Sequence, residues 1–470
     1  MTTIDAEREP YLEGVYAPVD DEIDAVDLAV TGVIPAALDG TFLRNGPNPM
    51  FAPKGRYHIF DGDGMVHGLT LRDGKASYRN RWVRSRGLGA EIDAGRSLYG
   101  GMANADFPSP DEVGDAGPMK NVANTHVIRH AGHVLCLWEA GPPTELSTSL
   151  DTLGPFDFGG ALAGPMTAHP KVDPGTGELC FFGYSAVPPY LRYHVADASG
   201  RLVRTIDVDL PAPVMMHDFV VTDRHVVFFD APAVFDFASF AAGGPMLRWK
   251  PELGTRIGVM PRDGGAADIV WAEMDPCYVF HFLNAWTDGD EVHVDGCRLA
   301  HMDIGLEPGE APALDDGEEP GSFLTRFTVD LSDGSATWER TAERPGDFPR
   351  INDDRAGLAN RYGYVATFAE GRDGDGAFDS ITKHDVLAGT AEIHRFGPGR
   401  ITGEAVFAPD PDGTAEDDGW LLSYVWDAAT DSTDLVILDA RDVTADPVAR
   451  VHLPRRVPFG FHGSWLPTEP

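Results

Sequence analysis

Four of the sixteen histidines stand in distinctive surroundings: His169 in MTAHPKVDP, His217 in VMMHDFVV, His281 in CYVFHFLNAW and His462 in FGFHGSWLP. Taken singly, a histidine in an apolar run is ordinarily a satisfied core or surface residue. Taken together, neutral imidazoles form a donor set for a divalent transition metal and bring no charge to be buried. The gaps between them are 48, 64 and 181 residues. That is unlike the tight spacing of zinc fingers or of HExxH helices. Residues so far apart converge only if separate parts of the fold present them to one point. A closed propeller does this, because each blade offers an inner strand to a common axis. Residue type and spacing therefore permit an all-histidine metal site without selecting these four.

The elements that would position them are strands. Short alternating or apolar runs recur along the chain, among them THVIRHAGHVLCLWE, GELCFFGYSA, FVVTDRHVVFFD, DEVHVDGCRLA, RYGYVATFAE and WLLSYVWDA. DGDG, PGTG, TDGD and DPDG separate such runs and are strong turn formers. The 53 Gly and 37 Pro fit many tight turns. Helical periodicity is hard to find. The chain reads as all-β, one domain over 1–470, with many short antiparallel strands. A propeller accommodates that number without long open edges, and a double sandwich is the alternative. The number of blades is not legible from periodicity. The acidic, Gly/Pro-rich stretch Glu307–Gly321 reads as a surface loop.

A net charge of −37 excludes long-range attraction to nucleic acid or anionic lipid. No apolar run is long enough for a membrane-spanning helix. The charged N-terminus, MTTIDAEREPYLEG, lacks the apolar core of a signal peptide. Cys136, Cys180, Cys277 and Cys297 show no CxxC spacing and read as buried free thiols in a reducing cytoplasm.

Nine motifs, in order, resemble the carotenoid cleavage oxygenase family nearly end to end. They are VTGVIPAALDGTFLRNGPNPMF (30–51), FDGDGMVHG (60–68), ANTHV (123–127), LWEAGPP (137–143), AHPKVDPGTGEL (168–179), HDFVVT (217–222), HFLNAW (281–286), FPRIN (348–352) and FHGSW (461–465). The resemblance implies a seven-bladed β-propeller with a loop and helix cap over a central iron site. It implies that His169, His217, His281 and His462 bind Fe(2+), with O2 and a hydrophobic polyene as substrates. It also implies carboxylates that fix the outer nitrogens of three ligands. Glu139 and Glu404 match two of these. Asp347 stands at the third place, one methylene shorter than the family's glutamate, so either the backbone lies closer or a water bridges. Thr125 matches a residue whose methyl group faces an open iron position.

Each of these residues has a plainer reading. Glu139 follows the apolar run VLCLW, so burial with a partner is expected on desolvation grounds alone. Glu404, in TGEAVFAP, reads by itself as a solvated loop residue, Asp347 as a turn residue, and Thr125 as one more β-branched strand position. FDGDGMVHG lacks the later ligands of a calcium loop and reads as a structural turn, and its His67 is not a matched ligand.

Within the family, the lignostilbene branch carries a Lys directly before the first of these glutamates and a Tyr to bind a phenol oxygen. Here the first place is Trp138, and Tyr99 lies near the second. Trp138 and Phe60 are assigned to a greasy substrate tunnel, so a carotenoid or apocarotenoid is the expected substrate and a stilbene the alternative. A non-enzymatic propeller scaffold would not need all four histidines. The Phe-rich segment 233–247 is expected to make peripheral, hydrophobic contact with a bilayer.

Overall fold

The computed structural model describes residues 9–102, 106–302, 304, 318–368 and 377–468. Most of the expected surface loop 307–321 lies outside them. Alternation and turn chemistry build the elements as expected. Lys75–Trp82 buries every second residue, and Asp73-Gly74, both with positive φ, close the tight hairpin that joins it to Gly64–Arg72.

Seven antiparallel sheets of four to six strands and one two-stranded ribbon make up the described chain. The seven sheets are the blades of a propeller. Blades two to six follow one another as meanders, the fourth interrupted by the two-stranded ribbon. They begin with the inner strands His126–His130, Lys171–Val172, Val220–Val221, Tyr278–Asp288 and Gly346–Arg350. The seventh blade runs from Val406–Pro409 through Gly419–Asp427, Ser432–Asp439 and Ala449–His452, and ends on the N-terminal Val30–Gly32. The first blade is completed the other way round. The C-terminal Gly463–Pro467 pairs with Gly40–Pro47, from Arg44↔Gly463 to Gly40↔Pro467. Two exchanges between the chain's ends thus close the ring.

The middle strands are buried on both faces, as in His225–Asp230, because neighbouring blades stack on them. Phe182, Tyr193, Phe219 and Phe228 fill the space between blades three and four, and Phe229, Phe282 and Phe327 that between four and five. The four cysteines are free and buried. Helices do occur, in the cap. Arg86–Ala94 is started by the Ser85 side chain, which accepts from Leu88 N–H, and stopped by left-handed Gly95. At nine residues it is too short to show a repeat against the strand pattern. FDGDGMVHG is a structural turn. Asp61 accepts from Met102 N–H, Asp63 accepts from Met50 N–H, and Lys120 lies 2.8 Å from Asp63.

Candidate metal centre and active-site cavity

The propeller axis is where separated residues meet. His169, His217 and His462 sit just before the inner strands of blades three, four and one, and His281 lies within that of blade five. Their ligand nitrogens all lie within 4.8 Å of one another. The remaining inner strands serve the same place. Thr125 precedes that of blade two, Asp347 lies in that of blade six and Glu404 precedes that of blade seven. Every blade delivers one residue to the centre.

Three carboxylates hold three rings by their outer nitrogens. Glu139 binds His217 Nδ1, Asp347 Oδ1 lies 2.7 Å from His281 Nδ1, and Glu404 Oε1 lies 3.0 Å from His462 Nδ1. These contacts leave the Nε2 atoms facing inward. His169 and His217 approach to 3.0 Å there, and His281 Nε2 is buried with no hydrogen-bond partner. A buried, unpartnered nitrogen among three other imidazoles is the environment that a cation would satisfy. Burial first, and then the neighbouring imidazoles, hold His169 and His462 well below the usual imidazole value, so both stay neutral donors. Burial acts to lower His217, but Glu139, with Asp218 and Asp347 behind it, outweighs it and the ring is held above its usual value. The cluster is able to coordinate a divalent metal.

Glu404 is buried, contrary to its reading as a solvated loop residue. His462, Arg350 at 3.3 Å and the N–H of Gly463 at 2.8 Å surround it, all distant in sequence and on the two neighbouring blades. Glu139 is buried with a partner, as its apolar context demanded. Asp347 reaches His281 directly, without a bridging water. The Gly346–Arg350 strand bulges between Asp347 and Arg350, with Phe348 in the left-handed region at φ 54°.

Three further residues support the site and escaped the sequence reading. Tyr184 donates its hydroxyl to Glu139 Oε1 at 2.6 Å. Asp218 accepts from Lys171 at 2.7 Å and from Phe282 N–H at 2.9 Å, tying together the segments that carry His169, His217 and His281. His126 places Nδ1 2.9 Å from Ala168 O and Nε2 3.2 Å from Gly463 O, beside two ligands. The usable signal was polarity inside an apolar run, as in MMHDFVV, where an unpaired carboxylate would be costly.

Above the histidines lies a cavity of about 950 Å³. Trp138, Phe60 and Thr125 line it, as do Phe280, Phe348 and Phe461. Its described lining contains no Lys or Arg. Tyr99 is not part of that lining and donates instead to Gly117 O at 3.3 Å. The segment 233–247 forms a two-stranded ribbon, Ala233–Phe235 with Leu247–Trp249, tipped by the short helix Phe237–Ala241. Phe237 is exposed at the cavity rim, whereas Phe240 is buried and packs edge-on against exposed Phe107. Of the segment expected at a bilayer, Phe237 is therefore free to make that contact and Phe240 is not. No described helix is long and apolar enough to cross a membrane.

The family described as retinal pigment epithelial membrane protein matches residues 16–467. The chain belongs to the carotenoid cleavage oxygenase family. It is 39% identical to the carotenoid cleavage oxygenase of Mycobacterium tuberculosis over 520 residues, covering 100% of each. Among solved structures it is similar to the lignostilbene dioxygenase of Pseudomonas brassicacearum, with a TM-score of 0.91, 31% identity, and 99% and 100% of the two chains covered. It is similar also to a variant of the Synechocystis apocarotenoid oxygenase, with a TM-score of 0.86, 30% identity and 98% of each chain covered. The chain is an oxidoreductase of this family, with its histidine cluster at the centre of the propeller.

Proposed function

We propose that residues 1–470 form one propeller domain in which His169, His217, His281 and His462 bind Fe(II), and that it cleaves a C=C bond of a carotenoid or apocarotenoid with O2. The double bond and the O–O bond break and two C=O bonds form. The alkene carbons are oxidised and O2 is reduced, with no other reductant. Fe(II) bound there would supply a redox-active centre with open coordination, through which O2 could react with a closed-shell alkene. Glu139, Asp347 and Glu404 fix the ligand rings. Thr125, its hydroxyl donated to Asn124 Oδ1 at 3.0 Å, borders the reaction space.

The observation that carries the substrate class is the aromatic cavity, which reaches His217, His281 and His462 and, among the described residues, offers no Lys or Arg for a phenolate. Trp138 fills the place of the lignostilbene-type Lys, and Tyr99 points elsewhere. A polyene gains by leaving water for such walls, at about 25 cal/mol per Å² buried. The exposed apolar residues at the rim support uptake from a bilayer through peripheral contact, from a reducing cytoplasm. The test is product mass spectrometry after incubating Fe(II)-loaded protein with carotenoids, apocarotenals and stilbenes. Aldehydes or ketones from the polyenes are expected. Turnover of stilbenes alone would overturn the assignment.

A further inference from the structure

The histidine cluster has two open sides. Opposite the aromatic cavity, a second cavity of about 250 Å³ runs along the propeller axis. Its inner end is lined by His169, His281 and His462, all buried. Its outer end is lined by Val172 and Asp353, both exposed. It therefore connects the ligands to solvent on the far face of the ring.

The two sides differ in chemistry. His217 borders only the aromatic cavity, and His169 borders only the axial one. The axial walls carry three cations and three carboxylates: Lys171 lies 2.7 Å from Asp218, Arg350 lies 3.3 Å from both Glu404 and Asp353, and Arg129 donates to Pro467 O at 3.1 Å. His169 is also the one ligand without a carboxylate on its outer nitrogen. Among the described residues none is hydrogen-bonded to its Nδ1, while Glu139, Asp347 and Glu404 serve the other three. A ring nitrogen left open beside a polar, solvent-connected space is one that water can serve.

A hydrated divalent cation discriminates strongly between these routes. Stripping its water along a wall of phenylalanines costs far more than thermal energy, since even a singly charged group costs several kcal/mol to bury. The axial route lets the ion keep water until imidazoles replace it. A polyene in the upper cavity would in addition shut that side. We propose that the axial cavity is the port through which a hydrated divalent metal reaches the centre, and that His169 is the first ligand it meets. The proposal rests on the four-histidine reading above.

The test separates rate from affinity. Ala356 and Val172 stand on different elements of the axial lining and belong to neither the ligand set nor its carboxylates. Metal-free wild type, Ala356→Trp and Val172→Trp are mixed with Co(II), and the ligand-field absorption is followed by stopped flow. Thermal melts confirm that each variant is folded. At least one variant should take up Co(II) about tenfold more slowly, with unchanged final stoichiometry and unchanged affinity by competitive chelation. Filling the upper cavity with an apocarotenal should leave the wild-type rate unchanged. Two folded variants that load at the wild-type rate would overturn the port, as would an apocarotenal that slows loading. Wild type that binds no Co(II) would instead overturn the four-histidine reading, and the port with it.

Discussion

Asp347 Oδ1 lies 2.7 Å from His281 Nδ1, a direct contact made by a side chain one methylene shorter than the glutamate that the family resemblance implies. The backbone supplies the missing reach. The strand bulges after Asp347, and Phe348 adopts a left-handed conformation that a bulky residue occupies at a cost of about 1–3 kcal/mol. Phe348 N–H also donates to Asp347 Oδ1 at 2.8 Å, so bulge and carboxylate brace each other. Asp347→Ala should weaken metal retention by about 10–100-fold. Asp347→Glu should also weaken it, because the longer side chain has no room at this distance. Competitive chelation on both variants checks this, and an Asp347→Glu protein that holds metal normally would contradict it.

Each of the four histidines should be needed for the metal. Wild type is expected to bind one divalent ion per chain. His169→Ala, His217→Ala, His281→Ala and His462→Ala should each lose most of it, since the clustered nitrogens are all the cluster has. Plasma spectrometry of reconstituted protein reads this directly, and full occupancy in any of the four would exclude that residue.

Tyr184 tunes Glu139. Burial, and then Glu139 itself, push the phenol well above its usual value, so it remains a donor. Tyr184→Phe keeps the ring and leaves Glu139 Oε1 without that bond in a largely apolar wall, at a cost of about 1–3 kcal/mol. We expect weaker metal retention together with an altered Co(II) absorption spectrum, since the change passes through His217. An unchanged spectrum would mean that Glu139 holds its histidine unaided.

Phe237, which lines the cavity, and Phe107, which packs edge-on against buried Phe240, are both exposed. With a net charge of −37, attachment to a bilayer must be hydrophobic. Phe107→Ser with Phe237→Ser should reduce co-sedimentation with neutral phosphatidylcholine liposomes and leave the melting temperature unchanged. Phe240→Ser should instead destabilise the protein, because that ring is buried. Equal sedimentation of the double variant and wild type would count against the rim.

The four clustered histidines were legible through their motifs and not through their spacing. Convergence depends on which strand is innermost in each blade, and blades of unequal length hide that order. Glu139 announced itself, because a carboxylate after VLCLW has to be paired. Glu404 did not, because the groups that bury it, Arg350 and His462, are 54 and 58 residues away. Phe240 looked like Phe237 because local pattern cannot show that Phe107, from another part of the chain, covers one of them. The Arg86–Ala94 helix was missed because it is short and sits among strands.

The exchange of strands at the ends would give a bound metal a second role. His462 immediately precedes the closing strand, its N–H donates to Thr125 O at 3.0 Å, and its carbonyl accepts from Asn45 N–H at 3.0 Å. The fourth ligand is therefore in place only when the last strand has joined the first blade. A cation that needs all four imidazoles then acts as a clasp. Its binding energy would favour ring closure, with a stabilisation of about 2.7 kcal/mol at a free concentration one hundred times the dissociation constant. Metal starvation would thus loosen the seam between the chain's two ends before it disturbed any single blade.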